Sequence, residues 1–342
     1  MTTFFLSLLN MRISLTFDHE LYFGTPSGSA EQCLLKPADA LLNLARKYNM
    51  KFTWFVDAGY LMALQKYALA EPSLAQDFAK IREQLRVMVE EGHEIGLHIH
   101  PHWDNSKFVH GQWIHPTQGF KLSDYKQEEA EEIVRRYNEV LKNVTGYIPV
   151  SYRAGGWCLQ PFAPLKNVFE EIGIQYDSTV FKGGYYQGYP FDYDFRKTPS
   201  TSKWNFSDDI CKEDKDGKFL ELPINSTYLS PAFYWNLFVQ GRLNKSLHKG
   251  MGDGNPIPAK GLLKKYLSQG AISAVSTDGY LVNSLFKVRA ENKKDFIVTI
   301  GHPKATSFYT LQRLEEYAKK YSGDEFVTLR QIGESGFSGL KD

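Results

Sequence analysis

The chain has 342 residues, 42% of them hydrophobic and 23% charged, and a formal net charge of +1. That mix supports a packed core and excludes global disorder, while the near-neutral balance offers no basic field for nucleic acid and no acidic tail. Aromatic residues make up 14%, with 20 Tyr and 6 Trp, whose flat faces and polar tips suit sugars and interfaces.

The opening "MTTFFLSLLN" is apolar, but it has no basic first segment and no small-residue cleavage site. Its apolar run is too short for a secretory or membrane segment. Met11, directly before a strand-like run, is an alternative start. The three cysteines, Cys33, Cys158 and Cys211, form no CxxC, which fits a reducing compartment. The expectation is a cytoplasmic protein without stable membrane insertion.

Arg12 to Phe17 ("RISLTF") reads as a buried strand. Pro37 to Asn49 reads as a helix with proline in its first turn. Lys51 to Ala58 is a strand rich in β-formers, Ala75 to Gly92 an amphipathic helix, and His93 to His100 a short strand. Ser123 to Gly146 reads as a helix with Ser123 as N-cap and Gly146 past its end. Then come "VSYRAGG", a helix near Gln160 to Ile172, and "IQYDSTV".

From about Lys182 to Lys260 the rhythm breaks. This stretch is rich in Gly, Pro and aromatics and reads as an insertion covering one face of the core. A helix, the strand Asp295 to Pro303 and a closing helix follow. Strand–helix–strand repetition implies a parallel sheet with right-handed crossovers. No glycine-rich phosphate loop follows the first strand, which favours a barrel over a doubly wound nucleotide-binding sheet.

The strongest chemical feature is "HEIGLHIHPHW", with four of the nine histidines between His93 and His102. His98 and His102 share a face if the chain turns helically, whereas His98 and His100 share one if it stays extended. Pro101 disfavours helix at His100. Two histidines need one carboxylate to complete a divalent metal site. "TFDHE" offers Asp18 and Glu20, two apart and so on one side of an extended chain, one to bind metal and the other to act as a base. Arg153 in "YRAGG" can hold a carboxylate without competing for its proton, and the adjacent glycines let backbone approach a ligand. Asp177 and His302 stand at two further strand ends. In parallel α/β architectures such ends line one site.

"TFDHE", "GHEIGLHIHPH", "YRAGG", "YDST" and "IGHP" together resemble the motifs of the polysaccharide deacetylase family, the NodB-homology domain. The resemblance covers about residues 11 to 320. It implies a distorted (β/α) barrel of about seven strands, a single domain over residues 11–325 with the long aromatic-rich insertion at about 182–260. It also implies one divalent metal ion, most commonly zinc, and hydrolytic removal of acetyl groups from N-acetylated sugars. Carried onto this sequence, it makes Glu20, His98 and His102 the metal ligands, Asp18 the base and His302 the acid. Arg153 would orient Asp18, and Asp177 would orient His302. Trp103, Gly155, Gly156 and Trp157 are the expected substrate contacts. This chain departs from the family pattern in having His19 where a second aspartate is usual, which leaves the two carboxylate roles exchangeable, and Gly155 where a proline is usual. Two rivals share the fold: an amidohydrolase acting on a ureide-like amide, and a non-catalytic carbohydrate-binding protein.

Overall fold

The computed structural model describes residues 10–257, 261–291 and 296–335. The expectations for residues 1–9, for the strand start at Asp295 and for the last residues of the insertion lie outside the described residues.

The core is a curled, mainly parallel sheet. Its strands are β1 (Arg12–His19), β2 (Phe52–Asp57), β3 (Glu94–Ile99), β4 (Ser151–Ala154), β5 (Tyr176–Asp177), β6 (Trp204–Phe206), β7 (Phe219–Glu221), β8 (Phe296–Gly301) and β9 (Glu325–Phe326). The order is β6-β7-β5-β4-β3-β2-β1-β8, with β9 also on β1. Every pair is parallel except β6 with β7. β2, β3 and β8 are buried along their whole length, which explains their continuous apolar runs: a parallel strand is covered on both faces.

The expected distorted barrel is present, and the short strands β6 and β9 bring the sheet to nine. Its closure accounts for the distortion. Among the described residues, no regular ladder joins β8 back to β5 and β7. Instead Ser276 bridges Ile300, Val275 N–H donates to Asn225, and Ile224 bridges Phe181. Gly301 makes that seam possible, because a Cβ there would collide with the Thr277 hydroxyl.

Helices Lys36–Tyr48, Pro72–Glu90 and Gln127–Thr145 cover the outside. The last ends at Gly146, whose φ of 69° is left-handed, as expected. Ser123 is not its cap; it belongs to a separate turn, Leu122–Asp124. The stretch expected as an insertion supplies β6 and β7 to the main sheet, so part of it is core. The rest forms the hairpin of Tyr185–Gly188 with Phe191–Asp194, the helix Pro231–Leu243, and a strap. That strap lies over the loop after β1, with Gly24 N–H donating to Asn255 and Asn255 N–H to Pro26.

Candidate metal centre and active site

The carboxyl ends of β1, β3, β4 and β8 open on one face of the barrel. Alternation along β1 sends Asp18 and Glu20 inward and His19 outward. His19 is buried beside Trp54, and that burial pushes its pKa down to about 4. β3 stays extended through His100, so His98 and His100 point inward together. Pro101 then starts the helical turn Pro101–Asn105 and carries His102 away. The His102 ring stacks on Phe120 at 4.5 Å, and neither of its nitrogens has a hydrogen-bond partner among the described residues.

Glu20, His98 and His100 therefore form the donor group, with His100 where His102 was expected. Glu20 Oε2 lies 3.1 Å from His98 Nε2 and 2.6 Å from His100 Nε2, and the two nitrogens are 3.1 Å apart. Donors around a tetrahedral ion with bonds of about 2.0–2.1 Å stand roughly 3.3 Å from one another, so the spacing fits. His98 Nδ1 is 2.8 Å from the Arg153 carbonyl, so Nδ1–H donates there and leaves the Nε2 lone pair facing the group. Two imidazoles and a carboxylate suit zinc and its neighbours among first-row divalent ions. Burial alone would lower His98, but the carboxylates of Asp18 and Glu20 outweigh it and push its pKa up to about 9. Burial would likewise raise Glu20, yet Lys304, His100 and His98 hold it well below the usual carboxylate range.

Arg153 is fully buried and donates to Asp18 Oδ1 at 2.7 Å, to the Ser178 carbonyl at 2.8 Å and to the Ser178 hydroxyl at 3.1 Å. The expected Arg153–Asp18 pairing is thus in place. The other Asp18 oxygen is 4.0 Å from His98 Nε2 and 3.8 Å from His302 Nε2.

The partner of His302 differs from the one expected. Asp278 holds it through both backbone and ring, accepting from His302 N–H at 2.7 Å and pairing with Nδ1 at 2.7 Å. Burial lowers the His302 pKa, but the charges of Asp278 and Asp18 more than offset this and raise it. Asp177 instead accepts from the Thr179 amide and hydroxyl and sits in register with Glu221 on the neighbouring strand.

Two further groups were not read from the sequence. Lys304, almost wholly buried, donates to Glu20 Oε1 and to the Leu21 carbonyl, each at 2.7 Å. Its signal was the lysine two residues after the histidine in "IGHPK". Asp57, at the end of β2, accepts from Trp103 Nε1 at 2.6 Å, and burial pushes its pKa up to about 6. Trp103, expected to touch substrate, is thus packed inside. Gly155 lies against the His100 ring, where a Cβ would sit 2.6 Å from Nδ1, and so makes room for that ring. Gly156 adopts φ 59° and packs against Phe191.

Trp157 does face open space. It lines a cavity of about 550 Å³ together with Tyr186, Tyr193, Tyr266, Asp278 and His302. A second cavity of about 290 Å³ adjoins, with Tyr22, Phe23, Phe191 and Lys304 in its wall, and His302 and Asp278 border both.

Residues 10–159, which carry Asp18, Glu20, His98, His100 and Arg153, match the family model described as polysaccharide deacetylase. Over that stretch the chain is similar to the polysaccharide deacetylase family. Among solved structures it is similar to a putative polysaccharide deacetylase from Mycobacterium smegmatis, at 18% identity and a TM-score of 0.52, covering 95% of this chain and 90% of that one. A probable polysaccharide deacetylase from Pseudomonas aeruginosa PAO1 matches at 14% identity and a TM-score of 0.52, covering 96% and 92%. Puue allantoinase matches at 13% and 0.51, covering 98% and 93%. At these identities the likenesses show the fold alone. No curated protein matches the chain.

Proposed function

We propose that the protein is a metal-dependent deacetylase of an N-acetylated sugar, acting on a surface polysaccharide or its cytoplasmic precursor. One observation carries the reading: Asp18 with Arg153, the Glu20–His98–His100 donor group, and His302 with Asp278 meet around one point beside an aromatic-walled cavity.

A divalent ion held by Glu20, His98 and His100 would supply Lewis-acid polarisation of the acetyl carbonyl and lower the pKa of water at the site. Lys304 occupies Glu20 Oε1 and so leaves Oε2 to the histidines. Asp18 lies outside the donor group with one oxygen committed to Arg153, which supports it as the base and Glu20 as the ligand. Asp18 takes the proton of the attacking water, and Arg153 keeps the carboxylate aimed. His302 gives a proton to the leaving amine as the carbon–nitrogen bond breaks, so acetate and a free amine result. Asp278 fixes the proton on His302 Nδ1, which sets the tautomer and favours the charged ring.

The cavity's size and its Trp157, Tyr186, Tyr193 and Tyr266 walls fit stacked sugar rings better than a small ureide. The base, the acid and the donor group are all present, which speaks against a purely binding role. The test is acetate release from N-acetylhexosamine oligosaccharides, with a ureide in parallel, before and after chelation and zinc addition. Chelator-sensitive acetate release restored by zinc is expected. Turnover of the ureide alone, or acetate release indifferent to chelator, would overturn the proposal.

A further inference from the structure

The segment from Tyr228 to Ile272 is apolar and basic at once. It holds six basic residues, Arg242, Lys245, Lys249, Lys260, Lys264 and Lys265, against a single acid, Asp253, in a chain of net charge +1. It also carries Tyr228, Trp235, Val239, Leu243, Leu263 and Ile272, six of the thirteen large hydrophobic side chains that are exposed among the described residues.

Their placement is ordered. Trp235, Val239 and Leu243 fall at i, i+4 and i+8 of the helix Pro231–Leu243 and so form one stripe. They are 50%, 41% and 73% exposed. The helix Leu262–Gln269 packs beside it, with Tyr234 stacked on Tyr266 at 4.8 Å, and adds exposed Leu263. Tyr228 and Ile272 are cross-strand partners, both about half exposed. Lys245, Lys249, Lys264 and Lys265 have no carboxylate within ion-pair distance among the described residues. The Arg242 guanidinium lies over the Phe238 ring, its charge at the edge of the apolar stripe.

We infer that this face docks on an anionic lipid bilayer, with the helix Pro231–Leu243 lying in the interface. An exposed apolar stripe needs a cover. A stripe flanked by unpaired cations and almost no acids is complementary to lipid tails beneath anionic headgroups. At 13 residues the helix is too short to span a membrane, and no helix among the described residues is long and apolar enough to cross one. The docked face borders the large cavity, since Leu262, Lys265, Tyr266 and Ile272 also line it. Docking would present that cavity to a sugar carried on a lipid. This last consequence rests on the deacetylase reading; the docking does not.

The test is cosedimentation of the full chain with phosphatidylcholine vesicles, with and without a third phosphatidylglycerol. Binding to the anionic vesicles, weakened by salt, is expected. The double variant Trp235→Glu/Leu243→Glu, and separately Lys245→Glu/Lys249→Glu, should each lower apparent affinity at least ~10-fold. All of these side chains are exposed, so folding and acetate release from a soluble oligosaccharide should be retained. Equal sedimentation of wild type and the Trp235→Glu/Leu243→Glu protein, or none by wild type, would overturn the inference. A dimer in light scattering that this variant dissociates would make a second copy of the chain the occupant and overturn it too. Vesicle binding without acetate release would count against the deacetylase reading alone.

Discussion

Replacing Arg153 with methionine keeps much of the buried volume and removes the guanidinium. In the structure that group is fully buried. It donates to Asp18 and twice to Ser178, and it lies over the Phe55 ring at 4.2 Å. Asp18 is also buried, so the substitution strands a carboxylate away from solvent. Removing one partner of a buried pair costs about 3–5 kcal/mol, because the remaining charge stays desolvated. The base also loses its aim, and acetate release should fall by about 10² or more in kcat/KM. Arg153→Lys keeps the charge but loses the fork, so it should fall between the two. Replacing both partners, Arg153→Met with Asp18→Leu, removes the stranded charge and should recover much of the stability while leaving the enzyme inactive. Urea unfolding followed by tryptophan fluorescence, with acetate release measured in parallel, reads all four proteins. The reasoning fails if Arg153→Met unfolds within about 0.5 kcal/mol of wild type, or if the double variant is no more stable than Arg153→Met.

His100→Ala should lose bound zinc by elemental analysis, while His102→Ala should keep it; the reverse result would restore His102 as the ligand. Asp278→Asn should lower kcat by about 10²–10⁴-fold by releasing the tautomer of His302, whereas Asp177→Asn should leave kcat within about tenfold if the protein remains folded. His93, buried with its Nδ1 accepting from Phe52 N–H, has its pKa pushed down to about 4 by burial. It therefore contributes stability that is complete above its unfolded pKa of about 6.5 and is lost as pH falls from there toward 4, by up to ~3 kcal/mol. Unfolding midpoints of wild type and His93→Gln should converge across that window, and parallel curves would refute the assignment.

The sequence by itself determined the parallel strands, their apolar cores and the polar residues at their ends, because period and burial act over a few residues. It placed Asp18 and Glu20 on one side and left His19 to the other. The same period already paired His98 with His100. The rival helical spacing pointed to His102, and only the extended path up to Pro101 decided between them. What the tertiary structure decided lies in contacts between distant segments. Asp177 stands at a strand end, as expected, but the strand order puts β5 three strands beyond β2, beside Glu221. Asp278 stands at no strand end, yet the seam along Ser276 and Ile300 brings it to His302. Lys304 reaches Glu20 because β8 lies directly against β1. Hydrophobic periodicity carries no information on which strands become neighbours; register and barrel closure set that, and with it the partner of each buried charge.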